Sequence, residues 1–137
     1  MANAIYPKYK ESLLNGDADT DINGTAGTGL FAALVDTGTY TYSASHQFYS
    51  SLSGIVGTDQ QITTPTKTNG TVDGDNVTYT AVSGATVEAI VLYRKNAGAN
   101  TTWRLVAYID TSVTGLPVTP NGGDITITWN ASGIFTL

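Results

Sequence analysis

The spacing of hydrophobic positions changes along the chain, and the first segment has a helical period. In residues 5–14 the apolar side chains Tyr6, Tyr9 and Leu13 recur every three or four positions. Pro7 suits a first helical turn and Gly16 suits a helix end. This pattern predicts a short amphipathic helix, which a loop rich in Asp and Gly follows at residues 17–29.

Residues 30–35 form an unbroken apolar run that ends at turn-forming residues, which predicts a buried strand. A second short helix is predicted over residues 43–52. There Ala44, Phe48 and Leu52 lie four apart, and Ser43 can cap the helix.

From residue 60 onward the alternation has a period of two, which is typical of strands. Residues 60–67 are predicted to form an edge strand, because Pro65 cannot donate a ladder hydrogen bond. Further strands are predicted at residues 77–81, 86–94, 102–110 and 125–129, the middle two forming a hairpin. The chain as a whole, residues 1–137, is expected to be one mainly β domain. We expect an antiparallel β-sandwich or a jelly-roll-like fold with two short helices in the N-terminal third.

The predicted hairpin carries apolar residues on both of its faces. A strand of a monomeric sandwich usually has one wet face, so the second apolar face needs a cover. Either the two predicted helices supply that cover or another subunit does. The subunit hypothesis gives a candidate subunit or capsid interface of six residues: Tyr6, Tyr9, Ile90, Leu92, Val106 and Tyr108.

Composition excludes several classes of function. The chain has no cysteine, which excludes disulfides, thiolate catalysis and cysteine-bound metals. Its formal net charge is −5, and its six basic residues are scattered, which argues against nucleic-acid binding. No run is apolar enough for a secretory signal or a membrane span, so we expect a soluble cytoplasmic product with no membrane partner.

Candidate sites for metal binding and catalysis are weak. Asp17, Asp19, Asp21 and Asn23 alternate like the start of a calcium loop, but the glycine and the closing glutamate of an EF-hand are missing. Whether this loop binds a cation stays open. His46 is the only histidine, and no nearby serine lies in a nucleophile elbow. We therefore predict neither a cofactor nor an enzyme.

Aromatic residues offer another kind of site. If exposed, Tyr40, Tyr42, Tyr49 or Trp103 could stack on sugar rings or fill a partner's pocket, although core packing is the alternative for each.

Four segments of the sequence are informative when they are taken together: residues 4–10, 33–43 with His46-Gln47-Phe48, 107–111 and 115–125. In these segments the sequence resembles a family of small structural proteins from the virions of tailed bacteriophages and prophages. The chain departs from the family in the glycine-rich loop before residue 30, where related sequences look shorter.

This resemblance implies a non-catalytic role as a capsid decoration (cement) protein. It also implies location in the virion after assembly in the host cytoplasm. The expected partners are the major capsid protein and further copies of the chain, with a trimer favoured. Alternatives are a tail or head-fibre component and a carbohydrate-binding adhesin module. An enzyme that uses His46 beside a carboxylate is the least favoured reading.

Overall fold

The computed structural model describes residues 3–137, and antiparallel strands dominate it. The strands are β1 (Ala4–Ile5), β2 (Gly29–Val35), β3 (Ile55–Gln61), β4 (Thr66–Thr68), β5 (Thr71–Asp73), β6 (Val77–Tyr79), β7 (Ala89–Lys95), β8 (Arg104–Ile109), β9 (Ile125–Ile127) and β10 (Phe135–Thr136). The α-helix described is α1 (Pro7–Asn15), and a single 3₁₀ turn lies at Tyr49–Ser51.

Helix α1 confirms the predicted N-terminal helix, although it covers residues 7–15 rather than 5–14 and Ile5 belongs to β1. Pro7 occupies the first turn, where its missing N–H costs nothing. Gly16 ends the helix in the left-handed conformation, with φ of 69°. The amides of Gly16 and Asp17 then satisfy the last carbonyls, those of Leu13 and Ser12.

The largest sheet has five strands in the order β1-β8-β7-β2-β3. Strand β2 pairs on both sides, and every residue of it is buried, as expected for an apolar run without alternation. Strands β7 and β8 form the predicted antiparallel hairpin. Two smaller sheets have the orders β10-β5-β4 and β6-β9, and β6 lies against β3.

The prediction of a second helix over residues 43–52 is wrong. Within residues 43–52 the backbone instead pairs with the start of β8, because the amide of Tyr49 donates to the carbonyl of Trp103 and Gln47 accepts from the amide of Leu105. The hydroxyl of Ser43 accepts from the amide of Ser45 in a local turn, which competes with helix formation.

Other predicted boundaries also shift. Pro65 lies between β3 and β4 rather than inside one strand, and β4 is an edge strand of the three-stranded sheet. Strand β6 stops before Ala81, whose φ is 49°. The structure also contains residues 55–59 as the first part of β3, which the sequence pattern did not indicate.

Both faces of the five-stranded sheet are covered within the chain. On one face the connection 36–54 lies over the sheet, where Tyr42 contacts Tyr108 and Tyr49 contacts Tyr93. Elsewhere Ile134 and Phe135 line one crevice together with β8. The buried apolar side chains form one continuous cluster that runs from Tyr6 to Ile134.

Candidate binding surfaces

The six predicted interface residues all lie in the interior of the described chain. Their exposed fractions run from 0% for Tyr6, Ile90, Leu92 and Val106 to 4% for Tyr108, with Tyr9 between at 3%. This corrects the prediction that they form a surface for a partner. The hairpin's second face does need a cover, but the chain's own loops and strands supply it, together with one helix rather than two.

A hydrogen-bonded chain of side chains fixes the loop over the sheet. The hydroxyl groups of Tyr6 and Tyr40 are 2.8 Å apart, and the Tyr40 hydroxyl is 2.8 Å from Nδ1 of His46. Burial, followed by the hydrogen bond to Tyr40, raises the pKa of Tyr6 far above its usual range. His46 therefore anchors the Tyr40 hydroxyl, and the neighbouring Ser43 and Ser45 hydrogen bond to each other through their hydroxyls.

An open cleft of about 450 Å³ lies beside this network. Its lining residues are Thr37, Tyr40, Thr41, Tyr42, Glu88, Tyr108, Asp110 and Pro117. Two of these eight described residues are acidic and none is basic. Oε2 of Glu88 accepts a hydrogen bond of 3.0 Å from the amide of Thr37, which holds the carboxylate in place.

Aromatic walls enclose part of this cleft, which we name the tyrosine cleft. The rings of Tyr42 and Tyr108 have centroids 5.5 Å apart and planes inclined by 60°. Burial, then the carboxylate of Asp110, Tyr40 and finally Glu88 raise the pKa of Tyr108. Both carboxylates thus contribute to a negative potential at this hydroxyl.

A bulge in β3 places the carboxylate of Asp59 among aromatic rings. Ala32 pairs with Gln60 while Leu34 pairs with Val56, so residues 57–59 lie opposite a single residue of β2. A bulge of this kind redirects a side chain. Asp59 follows this rule, because its Oδ2 accepts hydrogen bonds from the hydroxyls of Tyr49 at 2.8 Å and Tyr93 at 2.9 Å.

Burial dominates the electrostatics of Asp59. It raises the pKa of the carboxyl group, against the opposing effect of the hydrogen bonds from Tyr49 and Tyr93 and of the charge on Lys95. Its other oxygen, Oδ1, is buried and has no hydrogen-bond partner among the described residues. The ionised form is therefore only half satisfied.

Stacked rings surround Asp59 and extend to the surface, and we name this group the aromatic cluster. Tyr93 stacks between Phe31 at 5.7 Å and Trp103 at 5.7 Å. The ammonium group of Lys95 lies 4.9 Å from the Phe31 ring and 4.8 Å from the Trp103 ring, within the range of a cation–π contact. A shallow depression of about 340 Å³ lies over these residues.

The four aromatic candidates from the sequence thus separate. Tyr40 is buried, whereas Tyr42, Tyr49 and Trp103 are half-buried. Tyr42 lines the tyrosine cleft, and Tyr49 and Trp103 border the depression.

The acidic loop 17–23 is used for ion pairs with the hairpin. Nη2 of Arg94 lies 3.0 Å from the carboxylate of Asp21 and 4.0 Å from that of Asp19. Nη2 of Arg104 lies 3.8 Å from the carboxylate of Asp17. Within residues 3–137, no three side chains of His, Cys, Asp or Glu gather into a group that could hold a metal ion.

Neither protein-family models nor curated proteins match this chain at a significant level. In the part of the chain that the structure describes, no helix combines the length and the apolar character needed to cross a bilayer.

Proposed function

We propose that this chain is a non-catalytic structural protein of a tailed-bacteriophage particle, a decoration protein that binds the outer surface of the head. The virion role rests on the resemblance across residues 4–10, 33–43, 107–111 and 115–125. The binding role rests on the tyrosine cleft, a concave acidic site with aromatic walls that opens beside a sheet covered on both faces.

The architecture suits a protein that must stay rigid on a particle. We infer a sandwich-like arrangement, in which the two small sheets and the loop 36–54 enclose the five-stranded sheet. Many copies, each bound by a few contacts, stabilise a shell by mass action because they bind only the assembled form. A negative net charge of −5 keeps free copies apart before they bind.

The partners in this proposal are the major capsid protein and further copies of the chain, as a trimer. A trimer contact cannot use the six residues predicted from sequence, because they are buried. Two large apolar side chains remain exposed on the described surface, Leu14 at 89% and Leu137 at 57%, and they are available for such a contact.

The test is add-back to particles. Heads purified from a phage or prophage that encodes this chain, with its gene deleted, are mixed with the purified protein and sedimented. We expect saturable binding to heads and a higher temperature of DNA release. Binding to purified tails but not to heads would replace the proposal with the tail or fibre alternative.

The non-catalytic part has its own test, because the cleft brings Glu88 and Asp110 to one site and paired carboxylates are the groups that hydrolyse glycosides. We expect no turnover of chromogenic glycosides. Turnover that is abolished in Glu88→Gln would overturn this part.

A carbohydrate-binding module is the second candidate, and the aromatic cluster favours it. Half-buried Trp103 and Tyr49 border a depression that also holds Lys95, so stacking surfaces lie beside a charged donor. Glycan-array binding that disappears in Trp103→Ala would support it. Trp103→Ala must keep the unfolding midpoint of wild type, and the surface control Lys8→Ala must bind glycans as wild type does. A blank array would exclude it.

A further inference from the structure

We propose that the tyrosine cleft binds an arginine side chain of another protein. This inference deepens the proposed function, on which it rests for the identity of the partner as a capsid component. The lining of the cleft carries the half-buried carboxylate of Glu88, and this charge complements a cation.

The geometry favours a guanidinium group over other cations. Tyr42 is half-buried and lines the cleft, so its ring offers a face on which a flat cation can stack, while the buried ring of Tyr108 packs against Tyr42 at 60° and holds it in place. Glu88 lies on the same lining, and one of its oxygens is fixed by the amide of Thr37. A carboxylate oxygen accepts more than one hydrogen bond, so a fixed carboxylate suits the planar fork of donors that arginine carries.

The arginine has to come from a different protein rather than from a second copy of this chain. The chain has two arginines, and both are engaged in its own structure. Arg94 is paired with Asp21, and its side chain is 9% exposed. Arg104 lies 3.8 Å from Asp17 and donates from Nη1 to the hydroxyl of Ser12, with its side chain 15% exposed. Neither can reach into a neighbour's cleft without breaking these contacts.

The experiment uses the full chain and a small probe. N-acetyl-arginine methylamide is titrated into the ¹⁵N-labelled protein and followed by NMR. N-acetyl-citrulline methylamide, which has the same shape without the charge, is the matched probe. We expect saturable shifts at the amides of Thr37, Thr41 and Tyr108 with an affinity on the order of millimolar, because only one side chain is bound.

Two substitutions of the same kind separate site from background. Glu88→Gln removes one charge from the cleft and keeps an acceptor for Thr37, and we expect it to weaken the arginine probe at least about fivefold. Glu11→Gln removes the same charge from the exposed surface of α1 and is expected to change nothing.

Three results would each overturn the inference. They are shifts from the citrulline probe equal to those from the arginine probe, an equal affinity for the corresponding lysine compound, N-acetyl-lysine methylamide, and an affinity for the arginine probe that is unchanged in Glu88→Gln. The add-back assay keeps the two proposals apart. Heads that bind wild type and Glu88→Gln equally well would overturn the arginine site and leave the decoration role standing. Arginine binding without any binding to heads would do the reverse.

Discussion

Replacing Leu92 with alanine tests whether the β7–β8 hairpin is covered by its own chain. Leu92 is 0% exposed, and its cross-strand partners on the two sides are Ala32 and Ala107. Such small neighbours cannot fill the space that the leucine leaves, so we expect a cost in the upper part of the usual range, about 3–5 kcal/mol. With a urea m-value of about 2 kcal/mol/M, the unfolding midpoint falls by about 1.5–2.5 M.

The control is the same substitution at the surface. Leu14 is 89% exposed on α1, and Leu14→Ala is expected to change the free energy of unfolding by less than about 0.5 kcal/mol. Both variants and wild type are unfolded in urea, with tryptophan fluorescence as the probe, at about 1 μM and about 100 μM protein. The cost of Leu92→Ala should be the same at both concentrations. A cost below about 1 kcal/mol, or one that disappears at the lower concentration, would show that Leu92 belongs to a subunit contact.

Three further predictions concern buried polar groups. Tyr79→Phe removes a buried hydroxyl that donates to the carbonyl of Ala32 at 2.8 Å, and should lower the free energy of unfolding by about 1–2 kcal/mol in the same urea assay. Because burial raises the pKa of Asp59 above its ordinary value of 3.8, the folded state binds more protons in the window that begins there. The stability of wild type relative to Asp59→Asn should therefore fall as pH rises through that window, and a flat difference would contradict the buried carboxylate. Burial raises the pKa of Tyr9 to about 12, so its contribution to stability is complete below about pH 10 and is lost as pH rises above it. Absorbance titrations of wild type and Tyr9→Phe should coincide up to about pH 11.

The sequence allowed prediction of the elements whose signal is local. Strand β2 is an unbroken apolar run, and the end of α1 follows from a glycine that tolerates a left-handed conformation. Both strands of the β7–β8 hairpin are rich in β-branched and aromatic residues. In each case the residues that determine the element lie within it or directly beside it.

The connection 36–54 could not be predicted in this way. Its apolar residues Ala44, Phe48 and Leu52 have helical spacing, but the backbone of residues 47–49 bonds to residues more than 50 positions away, at the start of β8. Tertiary contacts of this length override a short helical period.

The two binding surfaces could not be predicted, because they depend on the pairing register of the strands, which the sequence does not reveal. Glu88 interrupts an apolar segment, which marks it as unusual, but its meeting with Asp110 follows from the pairing of β7 with β8. Asp59 reaches Tyr49 and Tyr93 only because β3 has a bulge opposite Ala33. The pattern of apolar residues carries no information on a bulge in a polar edge strand.

Cryo-electron microscopy of particles from a phage or prophage that encodes this chain tests the central claim most directly. The account predicts density that fits this fold on the outside of the head, with the tyrosine cleft turned toward an arginine of the shell beneath. Density confined to the tail, or particles without this protein, would contradict it.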